Sequence, residues 1–243
     1  MKSDLKNHVV MLTGAGGGIG RAIATKLAKL GMRLVLLGGG NLEKLETTGA
    51  AVEEYAPCVV LPGDLTDLEF LSSGVKQAVE AFGGVDVLIN NAGTAQSTPF
   101  EKIGVAEFDR IMAINFRVPF FLTQIVIPYL KRSSCATVVN ICSVVAHAGY
   151  PLQGVYTASK HALLGWTKTL AREYYKDNIR VHALSPGGVY TDMVKVSRPD
   201  LSPEGMIMPE EIADIVSFLL ENRGNAVIDE IMVHRVNKEP FLV

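Results

Sequence analysis

Short apolar runs alternate with longer amphipathic stretches along this chain. The short runs are rich in Val, Ile and Leu and predict seven β-strands, at 8–13, 33–37, 57–64, 85–93, 136–143, 179–187 and 225–236. The stretches between them repeat apolar residues at helical spacing and predict helices at 18–31, 41–55, 68–83, 105–131, 154–176 and 208–221. Strands that are apolar throughout and alternate with helices are typical of a parallel sheet covered on both faces. The pattern therefore predicts an α/β fold, a doubly wound parallel seven-stranded sheet with helices on both faces.

Composition supports a single folded unit. Hydrophobic residues make up 48% of the 243 residues, which is enough for a sizeable core. No repeat, low-complexity segment or Pro/Ser-rich linker divides the chain, so we expect one domain over 1–243.

Charge and cysteine content narrow the class of protein. The net charge of −2 gives no reason to expect a nucleic acid or an anionic membrane as partner. Three scattered cysteines without a CxxC pair indicate free thiols in a reducing compartment, and the His spacing suggests no metal site. The apolar stretch at 118–130 is interrupted by Thr, Gln and Pro, so we interpret it as a buried helix rather than a membrane span. The first residues contain no apolar core of signal-peptide length, and we expect a cytoplasmic protein.

A glycine-rich loop joins the first strand to the first helix. The segment "TGAGGGIG" from Thr13 to Gly20 has glycines that permit a tight turn, close approach of a pyrophosphate and close packing of the helix on the sheet. Free N–H groups and the helix dipole at this point favour phosphate. The loop therefore predicts a Rossmann-type dinucleotide site, whose expected residues are Gly14, Gly16, Gly17, Gly18, Ile19 and Gly20.

A tyrosine and a lysine stand four residues apart near the start of the fifth predicted helix, at 154–176. This spacing places Tyr156 and Lys160 on one helical face, and a nearby ammonium lowers the pKa of a phenol, which is about 10 in isolation. Ser143 ends the fifth strand, at the edge where parallel sheets bind ligands. A Tyr/Lys pair alone is a weak signal, but the serine and the loop strengthen it.

Five motifs occur in the order and spacing of the short-chain dehydrogenase/reductase family, and this resemblance covers essentially the whole chain. The motifs are TGxxxGIG, NNAG, the serine after the fifth strand, YxxxK and "PGGVYTDM". The resemblance implies that Tyr156 is the acid-base of a carbonyl–alcohol interconversion, that Ser143 holds the carbonyl oxygen, and that Lys160 contacts the nicotinamide ribose and tunes Tyr156. Asn115 would hold a water that links Lys160 to solvent. Pro119 supplies a reason in the sequence itself, because it has no N–H to bond the Asn115 carbonyl and should kink the helix.

Further cofactor-binding residues follow from the resemblance, at the ends of the third, fourth and sixth strands. They are Asp64, Leu65, Asn91, Ala92, Gly93, Pro186, Gly187, Val189 and Thr191, together with Tyr156 and Lys160. Substrate candidates are Ser143, Val145, His147 and Tyr190, and a short substrate lid is expected near 194–208.

The choice between NAD and NADP depends on "LLGGGN" at the end of the second strand. The family places an acidic residue at the position of Gly39 when NAD is preferred, and often an arginine at Gly40 when NADP is preferred. Both are absent here. Without the carboxylate the main barrier to a 2′-phosphate is gone, and glycine-rich backbone with Asn41 can bind an anion, so NADP(H) is favoured over NAD(H). Weak selectivity remains open.

The expected activity is an NADP(H)-dependent oxidoreductase acting on a small carbonyl or secondary alcohol. Two alternatives stay open: a non-catalytic cofactor-sensing protein on the same fold, and an NAD-preferring 3-hydroxy-acid or 3-oxoacyl-type dehydrogenase. The chain lacks the "GQ…VDGG" ending common among acyl-carrier-protein reductases of the family, which weakens an acyl-reductase interpretation. Two long apolar helices suggest a homodimer or homotetramer, as in the family.

Overall fold

All seven predicted strands form one parallel sheet. The computed structural model describes residues 3–197 and 202–239. The strands are β1 (Val9–Thr13), β2 (Arg33–Gly38), β3 (Cys58–Pro62), β4 (Val87–Asn90), β5 (Thr137–Ile141), β6 (Arg180–Pro186) and β7 (Glu230–Val233). Their order in the sheet is β3-β2-β1-β4-β5-β6-β7, and every neighbouring pair is parallel. The fold predicted from the hydrophobic pattern is confirmed.

Helices cover both faces of this sheet. They are α1 (Gly18–Lys29), α2 (Leu42–Glu53), α3 (Leu68–Phe82), α4 (Val105–Met112), α5 (Val118–Leu130), α6 (Gly154–Tyr174), α7 (Asp192–Ser197) and α8 (Pro209–Glu221). The α7 helix lies in the segment expected to form the substrate lid, and residues 198–201 of that lid lie outside the described residues.

Strand alternation divides the core into two layers. On β1, Val10 and Leu12 point towards α1, α2 and α8, whereas Val9 and Met11 point towards α3 and α5. All four side chains are at most 2% exposed, because helices cover both faces of the strand. Burying one such side chain contributes roughly 1.5–3 kcal/mol, so the central strands are a rigid base for the loops at their ends.

The strand order reverses between β1 and β4. The chain winds from β1 outwards through β2 to β3, then returns to β4 on the other side of β1. Ligands of doubly wound sheets bind at such a reversal, beyond the carboxyl ends of the strands. Thr13 of β1 and Asn90 of β4 therefore mark the centre of the candidate site.

The predicted helix at 105–131 is two helices joined by a π-helical turn. The turn spans Ala113–Arg117 and ends two residues before Pro119, which is the second residue of α5. The expected irregularity at Asn115 is thus present, as a π-turn within a continuous helical stretch.

By length and composition alone, the stretch Val105–Leu130 is long and apolar enough to cross a membrane. This is a weak indication, because the buried helices of folded cores pass the same test. Leu122, Val126 and Leu130 are fully buried against the sheet, as expected for the buried helix predicted from the sequence.

Candidate active site

The glycine loop is built from contacts that a side chain would prevent. Gly14 has a φ of +66°, in the left-handed region that favours glycine. A Cβ on Gly20 would lie 2.2 Å from the Gly14 carbonyl oxygen, and a Cβ on Gly18 would lie 2.9 Å from Thr191 Cγ2. Gly17 caps α1 without a side-chain acceptor, so the N-terminus of this helix keeps its N–H groups available to phosphate. The loop therefore fits a dinucleotide.

Side chains from β1 and β4 hold this loop in place. The Thr13 hydroxyl accepts hydrogen bonds from the backbone N–H groups of Asn91 (3.1 Å) and Ala92 (3.0 Å). The Asn91 amide donates to the carbonyl oxygens of Thr13 (3.0 Å) and Gly14 (3.1 Å). The NNAG segment thus connects the two strands at the reversal, and a Cβ on Gly14 would lie 2.8 Å from the Ala92 backbone.

Ser143, Tyr156 and Lys160 come together at the carboxyl end of β5. The Ser143 side chain interacts with the Tyr156 phenol and lowers its pKa, and the Ser143 hydroxyl accepts a hydrogen bond from the Val145 N–H at 3.3 Å. Lys160 is 4% exposed, donates to the Ile141 carbonyl oxygen at 2.8 Å, and has its ammonium 5.9 Å from the Tyr156 ring centroid. The three polar groups of the predicted catalytic set therefore share one site, in which Ser143 and Lys160 are buried and Tyr156 is partly exposed.

Asn115 lies in the π-turn behind this set. Its side-chain oxygen accepts from the Thr94 N–H at 2.8 Å, and its amide donates to the Thr94 carbonyl oxygen and the Ser159 hydroxyl, each at 3.0 Å. A Cβ on Gly93 would lie 3.4 Å from Asn115 Oδ1 and 3.7 Å from Lys160 Nζ, so these three residues meet at one point. The proposed water at the Asn115 carbonyl stays a prediction.

Burial dominates the ionisation of the two candidate catalytic groups. It raises the pKa of the Tyr156 phenol above its ordinary value, while the hydrogen bond from Ser143 acts in the opposite direction. Burial lowers the pKa of the Lys160 ammonium. The Cys142 thiol, adjacent to Ser143 in the chain, is 2% exposed, and burial raises its pKa to about 11. Cys142 is therefore a packed thiol.

The β6–α7 connection brings further predicted cofactor residues to the same edge. Pro186 ends β6, the Gly187 N–H donates to the Val233 carbonyl oxygen at 2.7 Å, and Val189 forms a short parallel bridge with Ile207. Thr191 packs on Gly18 of the phosphate loop, so this connection closes one side of the dinucleotide groove.

The residues at the end of β3 differ in exposure. Asp64 is exposed, and its carboxylate accepts from the Thr66 N–H and hydroxyl, each at 2.8 Å, which lowers the Asp64 pKa. Leu65 is 9% exposed and packs in the core layer of α3 and α5, which leaves little side-chain surface for adenine.

The substrate candidates lie around the Ser143 turn and the lid. Val145 is 6% exposed, in the short turn that Ser143 caps. His147, three residues after the start of that turn, pairs with Glu230 of β7 at 2.6 Å, and Ser185 donates to the same carboxylate at 2.9 Å. Tyr190 has the Lys195 ammonium 4.7 Å from its ring centroid.

Gly39 and Gly40, the two glycines that follow β2, differ sharply in the space around them. A Cβ on Gly39 would lie 2.1 Å from the Gly63 carbonyl oxygen, whereas nothing lies within 4 Å of a Cβ on Gly40. Asn41 caps α2 by accepting from the Lys44 N–H at 2.9 Å, so its oxygen is engaged and its amide N–H groups remain available to a ligand. A side chain at Gly39, the position of the NAD-type selector, would therefore require a shift of the backbone.

Sequence reasoning missed several contributors to the site. Lys44, in the first turn of α2, forms an ion pair with Asp192 of α7 at 2.6 Å, across the groove between α2 and the lid. Ser159 donates to the Tyr156 carbonyl oxygen within α6, and Gln96 accepts from the Val155 N–H in the first turn of that helix. Glu230 pairs with His147. The serine inside "YTASK" was the single local signal, since the other contacts join residues far apart in the chain.

A parallel sheet with a glycine loop at its reversal and a Ser–Tyr–Lys set beside it defines a nicotinamide-dependent oxidoreductase. Residues 8–202 match the family model for short chain dehydrogenases, and the chain belongs to the short-chain dehydrogenase/reductase family. It is 34% identical to levodione reductase of Leifsonia aquatica, with 91% of this chain and 90% of that protein aligned. It is 36% identical to 3alpha-hydroxysteroid dehydrogenase of Mediterraneibacter gnavus, over 94% of this chain and 95% of that protein. A crystal structure of a dehydrogenase/reductase from Sinorhizobium meliloti 1021 superimposes with a TM-score of 0.87 at 31% identity, covering 95% of each chain.

Proposed function

We propose that this protein is an NADP(H)-dependent reductase of a small carbonyl compound, with the reverse oxidation of the secondary alcohol at the same site. The observation that carries this proposal is the convergence of Ser143, Tyr156 and Lys160 at the carboxyl end of β5, with the Lys160 ammonium 5.9 Å from the phenol ring centroid. The relatives named above are reductases and dehydrogenases of carbonyl or alcohol groups, which supports the same reaction class.

Each residue of the set has one role in the proposed reaction. NADPH, when bound, would be the source of the hydride for the carbonyl carbon. Tyr156 donates its phenolic proton to the carbonyl oxygen, so the products are the secondary alcohol and the oxidised cofactor. Ser143 donates a hydrogen bond to that oxygen, and Lys160 favours the phenolate that Tyr156 becomes. Asn115 keeps the Thr94 segment and α6 in register with this set.

The preference for NADP is supported by the packing at Gly39. A carboxylate there is the usual partner of an adenosine 2′-hydroxyl, and the Gly63 carbonyl oxygen, 2.1 Å from an added Cβ, leaves no room for it. The backbone at Gly40 and the amide N–H groups of Asn41 can donate hydrogen bonds to a 2′-phosphate instead.

The test uses the purified full chain with a panel of ketones, oxo-acids and secondary alcohols. Turnover is followed by nicotinamide absorbance with NADPH and NADH, and Kd is measured for each cofactor. We expect ketone reduction with NADPH and tighter binding of NADPH. Tighter binding of NADH would overturn the cofactor preference, and absence of turnover with either cofactor would overturn the reductase.

We also propose a homodimer or homotetramer. Partly exposed aromatic rings of Phe116, Phe120, Phe121 and Trp166 contact one another on the surface formed by α5 and α6, with centroid distances of 5.3 to 6.3 Å. Such an aromatic patch favours association with another protein surface. Light scattering after size exclusion measures the mass in solution, and a monomer at high concentration would overturn this part of the proposal.

A further inference from the structure

The catalytic helix α6 begins without a local cap. Its N-cap residue, Gln153, makes no side-chain hydrogen bond to the first turn, although the first N–H groups of a helix need acceptors. Tyr156 lies in this first turn. The position of the proposed acid-base therefore depends on whatever satisfies these N–H groups.

Gln96 supplies the cap from a distant part of the chain. Its side-chain oxygen accepts from the backbone N–H of Val155 at 2.9 Å and from that of Tyr156 at 3.4 Å. Two donors facing the same atom fix the orientation of the amide, because an NH₂ group cannot accept them. The oxygen of Gln96 points at the helix, and its nitrogen is held on the other side of the amide.

That nitrogen is buried and lacks an acceptor. Gln96 is 3% exposed, and its Nε2 atom has no hydrogen-bond partner among the described residues. Leaving a buried donor unpaired costs about 1–3 kcal/mol, so such a group in a folded protein requires an explanation.

The surroundings of Gln96 point to a ligand as the missing acceptor. Two residues earlier in the chain, Thr94 is bonded to Asn115, and Gly93 faces Lys160. The segment 93–96 therefore lies next to Asn115 and Lys160, and the side-chain amide of Gln96 at its end bonds to the helical turn that contains Tyr156. A donor fixed in this place is attached to the helical turn that carries Tyr156, and not to the end of β2, where the adenosine end of the cofactor is expected.

We propose that Gln96 is a substrate-contacting residue, whose amide nitrogen donates a hydrogen bond to a second oxygen of the substrate. The preferred substrates are then carbonyl compounds with a further acceptor oxygen near the reacting carbonyl. This inference rests on the proposed reductase function. Because the amide oxygen is anchored to the Tyr156 turn, the donor keeps a fixed distance from the acid-base and orients the substrate.

The test uses substitutions that distinguish the role of the amide oxygen of Gln96 from the role of its amide nitrogen. Gln96→Glu keeps an acceptor for the helix N–H groups and removes the donor, whereas Gln96→Met removes both at similar volume. Gln153→Glu adds the same charge near the same helix terminus and serves as the matched control. The substrates are cyclohexanone and its 2-, 3- and 4-methoxy derivatives, with the ethyl analogues as controls for size.

We expect wild-type enzyme to have a lower KM for at least one methoxy ketone than for its ethyl analogue. Gln96→Glu should raise that KM by roughly tenfold and leave the KM of cyclohexanone within about twofold, because one hydrogen bond is lost from one substrate. Gln96→Met should in addition lower kcat for both substrates, since α6 loses its cap, and Gln153→Glu should change neither KM.

Equal effects of Gln96→Glu on cyclohexanone and on every methoxy ketone would overturn the inference and leave the reductase standing. So would a wild-type enzyme that does not distinguish methoxy from ethyl ketones, the result expected if a buried water is the acceptor. Absence of carbonyl turnover by the wild type would remove the reductase itself.

Discussion

Gly39 and Gly40 allow the cofactor preference to be tested by two adjacent substitutions with opposite expected outcomes. Gly39→Asp introduces the NAD-type carboxylate, and Gly40→Arg introduces the NADP-type cation. Conventional reasoning from the motif expects the first change to convert the enzyme to NADH. From the packing around Gly39, we expect Gly39→Asp to destabilise the fold instead.

The expected damage follows from the contact distances. A Cβ at Gly39 would lie 2.1 Å from the Gly63 carbonyl oxygen and 2.8 Å from its carbonyl carbon, whereas ordinary contacts begin near 3.4 Å. Gly63 cannot retreat freely, because Phe70 of α3 packs on it, with ring atoms 2.3 to 2.6 Å from an ideal Cβ on Gly63. Overpacking of this kind costs about 1–3 kcal/mol. For a domain of this size, that lowers Tm by roughly 2–12 °C.

The assay combines thermal unfolding with cofactor binding. We expect Gly39→Asp and Gly39→Ala to lower Tm alike, which shows that the Cβ rather than the charge is responsible. Gly40→Arg should leave Tm nearly unchanged, since its Cβ meets open space, and should tighten NADPH binding. A Gly39→Asp variant with wild-type Tm and a preference for NADH would refute the reasoning, because the β2 and β3 ends would then be free to separate.

Four further predictions concern the catalytic set and the residues around it. Tyr156→Phe should lower turnover by about 10²–10⁴-fold and leave cofactor Kd unchanged, and unchanged turnover would contradict the acid-base role. Because burial raises the pKa of Tyr156 and the protonated phenol is the donor, carbonyl reduction should persist at mildly alkaline pH while alcohol oxidation rises with pH. Asn115→Leu should lower the free energy of unfolding by about 1–3 kcal/mol in denaturant titrations, since Thr94 and Ser159 lose their buried partner; an unchanged midpoint would count against this. Cys142 should react with a maleimide at neutral pH far more slowly in folded than in denatured protein, because its pKa is about 11, and equal rates would contradict the burial.

The fold was predictable because its signal is local and repeated. Each of the seven apolar runs predicts one strand. The glycine loop identifies the first of them as β1, next to the reversal of strand order. The same topology explains why Ser143 and the NNAG segment could be placed at the site. A residue that ends a parallel strand is brought to the ligand edge by the sheet itself.

The parts that could not be predicted depend on contacts between distant residues. Gln96 reaches α6, Lys44 reaches Asp192 and His147 reaches Glu230 only after the loops have packed, and no spacing in the sequence reports such pairs. The irregular helix is an intermediate case. Pro119 indicated a disturbance near Asn115, but a proline cannot tell whether the chain kinks or inserts a π-turn upstream.

The segments of the candidate site are stabilised in the same way. Polar side chains form hydrogen bonds with the main chain of these segments, and the main chain positions the candidate catalytic groups. Thr13 and Asn91 fix the phosphate loop, Asn115 fixes the Thr94 segment, and Gln96 fixes the first turn of α6, each through main-chain hydrogen bonds. Hydrogen bonds restrict distance and angle more tightly than apolar packing does, because they weaken steeply away from their preferred geometry. A reaction that transfers a hydride and a proton to adjacent atoms needs donors placed in fixed relation, and this framework supplies that relation before a substrate binds. Substitutions in the framework should therefore act mainly on kcat, and substitutions of groups that point from it into the cleft mainly on KM.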